Sequence, residues 1–225
     1  ASSALAIAGV HAVFTAAVNT DGVAGDELAF STGQGVRIIV DRTRSTRDYV
    51  TGPSAVFLTA SDTDGKAGVE LVYGNGSSIR IVSDAARRST SRLIGSQFEL
   101  IAVANTNGLP GSELVFDVYG SVRIYRDANR TLKTYNVASS WDLLTTADTD
   151  GKAGQELVFA VDLSLKILHD ASGRFTNYYI GEPFVVRDAV DTNGKPGSEL
   201  VLGLGNKVTI VRDANRTTRS YFIDP

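Results

Sequence analysis

The 225-residue sequence predicts an all-β fold, a five-bladed β-propeller with four antiparallel strands per blade. Three observations carry that reading. A ten-residue stretch, typified by Asp148-Thr149-Asp150-Gly151-Lys152-Ala153-Gly154-Gln155-Glu156-Leu157, occurs five times, starting at 19, 62, 105, 148 and 191. The spacing is 43 residues each time, with no insertion or deletion, and a fixed period near 40 residues marks a repeat architecture. Each period holds four short strand patterns separated by turn residues, and no stretch sustains the 3.6-residue apolar period of a helix.

The third copy illustrates the elements. Phe98 to Ala104 is a short, mostly apolar run, read as a buried strand. The repeated loop follows, over Asn105 to Ser112, and Glu113 to Tyr119 forms the second strand before a tight turn at Gly120-Ser121. Val122 and Ile124 alternate with Arg123 and Tyr125, which gives a third strand by its period of two. Asp127 opens a type I turn, and Thr131 to Val137, rich in β-branched and aromatic types, is the fourth strand. The turn aspartate recurs as Asp41, Asp84, Asp170 and Asp213. A tyrosine column, Tyr49, Tyr135, Tyr178 and Tyr221, runs through the fourth strands with Arg92 as its exception.

The whole chain, 1–225, reads as one propeller domain with its loops at 19–28, 62–71, 105–114, 148–157 and 191–200. Closing the blades into a ring would remove the sheet edges that an open array exposes. Five periods leave ten residues over, so Ala1 to Val10 aligns with Arg216 to Pro225. The C-terminal copy, with its Thr-Thr-Arg-Ser-Tyr-Phe-Ile pattern, is expected to complete the last blade, and the N-terminal copy to lie along an edge or act as a linker; the opposite choice is a closing strand supplied by the N-terminus. The absence of methionine, even at position 1, reads as a processed form, an excised domain or an edited sequence.

Bulk properties narrow the function classes. A net charge of −3 offers no basic footprint for nucleic acid, and no apolar run is long enough to insert in a membrane. Without cysteine there is neither a thiol nucleophile nor a cysteine-ligated zinc site. The two histidines, His11 and His169, occupy different positions of different copies and form no repeated site, and no Gly-x-Ser-x-Gly or phosphate-loop motif occurs. The chain is therefore read as not an enzyme. Trp141, the one tryptophan, is expected to pack in the core, and the basic columns Arg37, Arg80, Arg123, Lys166 and Arg44, Arg87, Arg130, Arg216 to form a solvated face pairing with acids across strands.

The loops concentrate charge. Loop positions 1, 3 and 9 hold eleven of the 25 acidic residues of the chain. The candidate metal ligands are Asn19, Asp21 and Glu27 in loop one, Asp62, Asp64 and Glu70 in loop two, Asp148, Asp150 and Glu156 in loop four, and Asp191, Asn193 and Glu199 in loop five. Loop three, with Asn105 and Asn107, keeps only Glu113 as a charged ligand. Calcium takes six to eight oxygens around a tight, glycine-bearing turn, and Gly151 and Gly154 let carboxylates two and eight positions apart converge. The competing reading is structural: position 1 forms an Asx turn, the glutamate accepts amide hydrogen bonds within the loop, and lysine neutralises the remainder.

On these residues the loop resembles the FG-GAP/VCBS repeat of integrin α-subunit propellers and of propeller lectins, whose pattern is Asp-x-Asp/Asn-Gly-Asp-Gly-x-x-Asp-Leu. Its first and last acids have the spacing of Asp148 and Glu156, and the resemblance recurs in all five copies. It departs at loop position 5, an acid in the family and Val23, Lys66, Leu109, Lys152 and Lys195 here. The resemblance implies a calcium-bearing propeller used in adhesion, carbohydrate binding or protein recognition. The expectation is a monomeric, lectin-like or adhesive binding module of a secreted or cell-surface protein, with a carbohydrate or protein ligand. The alternative is a structural or engineered symmetric propeller scaffold without a specific ligand.

Overall fold

A computed structural model describes residues 5–7 and 10–223. It is built of five antiparallel sheets, one per repeat, spanning residues 10–50, 56–93, 98–136, 142–179 and 185–222 and called blades one to five. In every blade the four strands are hydrogen-bonded in chain order, as short hairpin connections dictate. Blade three shows the register: Phe98–Ala104 pairs with Glu113–Val118, that strand with Ser121–Arg126, and that with Thr131–Asn136. The second strand stops one residue before the sequence suggests, because Tyr119 adopts a positive φ of 52° and joins Gly120 in the turn. Among the described residues there is no α-helix, only single 3-10 turns at Asp41–Thr43 and Asp213–Asn215.

Both chain ends behave as expected where they are described. Thr217–Phe222 completes blade five as its fourth strand. Leu5–Ile7 adds a fifth strand to the edge of blade one, pairing with the Val10–Ala12 end of its first strand. The rest of the N-terminal ten-residue copy, residues 1–4 and 8–9, and the side chain of His11 lie outside the described part of the structure.

Period-two alternation gives each blade two faces, and the core consists of four junctions where one blade's face meets the next blade's opposite face. Ala29, Val36 and Ile38 of blade one pack on Leu71, Tyr73 and Val82 of blade two. The same positions recur at the junction of blades two and three, at that of three and four, and at that of four and five. Trp141 belongs to the third junction, edge-on to Phe159 at 5.2 Å, with its indole N–H donating to the Gly120 carbonyl at 2.8 Å, as a half-buried tryptophan requires.

A fifth junction, between blades five and one, is not made among the described residues, in contrast to the expected ring closure. Leu28 of blade one is 38% exposed, whereas its counterparts Leu71, Leu114, Leu157 and Leu200 are fully buried. On blade five, Val201, Val208 and Ile210 are half-buried, although their counterparts in the other blades are buried.

Candidate functional site

Each repeated loop is organised around its glutamate. One carboxylate oxygen of Glu27, Glu70, Glu113, Glu156 and Glu199 accepts both the backbone N–H and the hydroxyl of the loop-position-2 threonine, with N–H distances of 2.7 to 2.9 Å. All five glutamates are buried. Position 1 closes an Asx turn: Asn19, Asp62, Asn105, Asp148 and Asp191 each accept the N–H of the position-4 glycine at 2.6 or 2.7 Å. Those glycines have φ of 71° to 76°, the left-handed region an L side chain avoids. The loops are therefore self-satisfied turns as well as clusters of acid.

The loops also fasten neighbouring blades. The position-2 threonine hydroxyl reaches the turn aspartate of the next blade: Thr20 to Asp84 at 3.1 Å, Thr63 to Asp127 at 3.3 Å, Thr106 to Asp170 at 2.7 Å and Thr149 to Asp213 at 2.9 Å. The tyrosine column meets the same carboxylates, with Tyr49, Tyr135 and Tyr178 donating to Asp84, Asp170 and Asp213 at 2.5, 2.7 and 2.6 Å. Burial and the adjacent carboxylate push all three phenols well above the usual tyrosine range. Backbone bonds reinforce each latch, from Val69 N–H to the Asn19 carbonyl in the first to Ser198 N–H to that of Asp148 in the fourth. The exception in the column has a compensation: Arg92 donates to the Tyr125 hydroxyl at 2.9 Å, and Tyr125 contacts Asp127 at 3.2 Å, so the phenol comes from the following blade.

What differs between latches is the cation. Arg47 pairs with Asp84 at the first, Arg126 with Asp170 at 2.6 Å at the third, and His169 lies 3.3 Å from Asp213 at the fourth. At the second no basic side chain pairs with Asp127 among the described residues. His169 also lies 3.6 Å from both Asp150 and Glu156, and its contact with Glu156 and the charges of Asp213 and Asp150 raise its pKa against the opposing effect of burial.

Two loops gather three metal-competent side chains among the described residues: Asp62, Asp64 and Glu70 in loop two, and Asp150, Glu156 and His169 around loop four. In loop two, at the latch where no basic side chain pairs with the turn aspartate among the described residues, three carboxylates converge, and burial and the charges of Asp64 and Asp62 raise the pKa of Glu70. Lys66, 70% exposed, reaches Asp64 at 2.7 Å, and Arg88 lies 3.7 Å from the same carboxylate. In loop four the imidazole stands among the acids, Lys152 pairs with Asp150 at 2.5 Å, and Asp148, which accepts the Gly151 N–H, is not one of the three. Loops one and five place their candidate residues differently. Asn19 donates to the Val23 carbonyl and Asp21 pairs with Arg42 and Arg47. Asp191 accepts two loop amides, and the Asn193 amide donates to Glu199.

Sequence reasoning missed the latch aspartates, which it took for turn residues, and it misplaced part of one arginine column. Arg37 pairs with Asp48 across strands as expected, but Arg123 and Lys166 donate to the Ile94 and Val137 carbonyls of the preceding blade. Between the first strands of blades four and five lies an open furrow of about 590 Å³, lined by Thr145, Thr146, Gln155, Arg187, Asp188 and Ser198 among others. A second furrow of about 490 Å³ lies between blades three and four, at Asn105, Ser112 and Lys152.

No protein-family model and no curated protein matches the sequence. The fold is similar to a lectin from Agrocybe aegerita, whose structure is described in terms of specific recognition of non-reducing terminal N-acetylglucosamine (TM-score 0.56, 10% identity, covering 95% of this chain). It is also similar to BBS1N solved in complex with ARL6DN (TM-score 0.50, 14% identity, covering 95% of this chain). The chain spans 66% of the length of the first and 68% of the second. The five four-stranded sheets and these two likenesses together establish the fold as a five-bladed β-propeller.

Proposed function

We propose that the chain is a non-enzymatic binding module of the lectin-like or adhesive kind, taking a carbohydrate through the furrows between adjacent blades. The observation that carries this reading is the furrow between blades four and five. Its hydroxyl, amide, guanidinium and carboxylate groups are the set that a polyhydroxylated ligand hydrogen-bonds, and its volume suits one or two sugar rings. The related furrow between blades three and four supplies a second, weaker-featured position, and linked weak sites raise effective concentration on a multivalent surface. The fold likeness to a lectin supports this choice over a ligand-free scaffold. The FG-GAP/VCBS resemblance of the loops adds a calcium ion at loop two, between Asp62, Asp64 and Glu70, and a secreted or surface location.

A glycan array followed by titration calorimetry tests the reading. The expected result is saturable binding of at least one glycan class, reduced at least tenfold by Arg187→Ala, an exposed position, with the melting temperature unchanged. Silence across the array, or binding indifferent to Arg187→Ala and Asp188→Ala alike, overturns it.

A further inference from the structure

We infer that the open faces of blades one and five bind each other between copies of this chain, head to tail. The chain makes the same junction four times, and each junction has two unlike halves. The donor half belongs to the earlier blade: an apolar face and the loop threonine, joined at three of the four junctions by a tyrosine of the column and a cation. The acceptor half belongs to the later blade: the opposite apolar face and the turn aspartate. Blade five carries a donor half with no acceptor, and blade one an acceptor half with no donor, among the described residues.

The parts correspond position by position through the 43-residue period. On blade one, Leu28, Phe30 and Ile39 stand where Leu71, Tyr73 and Val82 are fully buried in blade two, and all three retain exposure. Asp41 is exposed, where Asp84, Asp127, Asp170 and Asp213 are buried. On blade five, Val201, Val208 and Ile210 form the matching apolar face, Thr192 is exposed although the other four loop threonines are buried, and Tyr221 is 40% exposed. Gly194 repeats the pattern. A Cβ on Gly22, Gly65, Gly108 or Gly151 would meet the next blade within 2.8 Å, whereas one on Gly194 would meet nothing within 4 Å.

Charge selects the occupant. Arg212 occupies the position from which Arg126 and His169 reach the next aspartate, and Arg219 that from which Arg47 reaches Asp84. Neither makes an ion pair among the described residues, and Arg219 is exposed. Two guanidiniums and a phenol on the donor half face a lone carboxylate on the acceptor half. A second copy supplies that acceptor together with the apolar face already shaped to this one. Because the two halves differ, the contact is heterologous, and it propagates into a ring or an open fibre according to whether the rotation closes.

Sedimentation velocity across a concentration series tests this, in place of the monomer that the sequence suggests. The expected result is a mass that rises with concentration. Leu28→Arg blocks the acceptor half and Ile210→Arg the donor half, so each variant alone stays monomeric. Mixed together they form a 1:1 dimer that grows no further, because each retains the half the other lacks. Thr192→Arg, at an exposed position, replaces Ile210→Arg if the latter lowers the melting temperature. A monomer at every concentration, self-association by a single variant, or a mixture that stays monomeric overturns the inference.

Discussion

Alanine in place of the turn aspartate is the same chemical change in all five repeats, yet the surroundings require unequal costs. At Asp170 the carboxylate is fully buried and accepts from Thr106, Tyr135 and Arg126 at 2.7, 2.7 and 2.6 Å. Removing it strands a guanidinium whose side chain is only 12% exposed, together with two hydroxyls. Breaking a buried ion pair by deleting one partner costs about 3–5 kcal/mol, so Asp170→Ala is expected to cost about 4 kcal/mol. Asp84→Ala, which abandons Arg47, Tyr49 and Thr20, falls in the same range. Asp213→Ala follows at about 3 kcal/mol, because His169 is the weaker cation partner. Asp127→Ala costs about 1–2 kcal/mol, since only neutral hydroxyls at 3.2 and 3.3 Å are left behind. Asp41→Ala, exposed, stays within about 0.5 kcal/mol in dilute solution. The turn itself cancels from the comparison, because the N–H three residues on donates to the Asp41 carbonyl at 3.0 Å and to that of Asp170 at 3.2 Å. Urea unfolding followed by circular dichroism and by Trp141, which sits at the third junction, reads the series; 4 kcal/mol moves the midpoint by more than about 1 M. Equal costs at Asp41 and Asp170, or a negligible cost at Asp170, would refute the latch as the source of stability.

Other expectations follow from the same contacts. His169 is held above its ordinary pKa, so its share of the fourth latch is complete below about pH 6.5 and is lost as pH rises through the folded value. His169→Gln should cost about 1 kcal/mol at pH 6, fade toward pH 9, and flatten the stability profile between, as pH-resolved urea melts will show. Gly108→Ala and Gly194→Ala share a φ near +73°, but a Cβ on Gly108 would lie 2.6 Å from the Ala153 backbone. The first is expected to cost about 3 kcal/mol and the second about 1 kcal/mol, the left-handed penalty alone, by thermal melts. Calcium added to metal-stripped protein is expected to raise the melting temperature, and Asp64→Asn in loop two to abolish the rise, while Asp150→Asn in loop four leaves it intact. A melting temperature flat through millimolar calcium removes loop two as a metal site.

Much of the fold was legible because its signals are local and recur. The decamer, the alternating Val122-Arg123-Ile124 strand and the Asp127 turn lie within a few residues of the groups they engage, and the period turns one blade into five. The Asx turns and the amide-bound glutamate are likewise local, so the structural reading of the loops could be written from the sequence. The latch could not. Thr20 meets Asp84 across 64 residues and Tyr49 meets it across 35, separations at which spacing says nothing about contact. One trace of it was visible: Arg92 breaks the tyrosine column where Tyr125 replaces an aliphatic residue in the next blade. Arg123 and Lys166 misled for a related reason, because alternation assigns a residue to a face but does not say which neighbouring blade covers that face.

The polarity of the latch has a bearing on synthesis. Every junction joins a donor half made earlier in the chain to an acceptor half made later. The nascent chain thus presents a hydroxyl and an apolar face at each junction, with a cation at three of the four, and the next 43 residues to emerge bring the carboxylate that quenches them. Blades of this kind are able to dock one at a time, in the order they leave the ribosome, since among the described residues no junction waits on the far end of the chain.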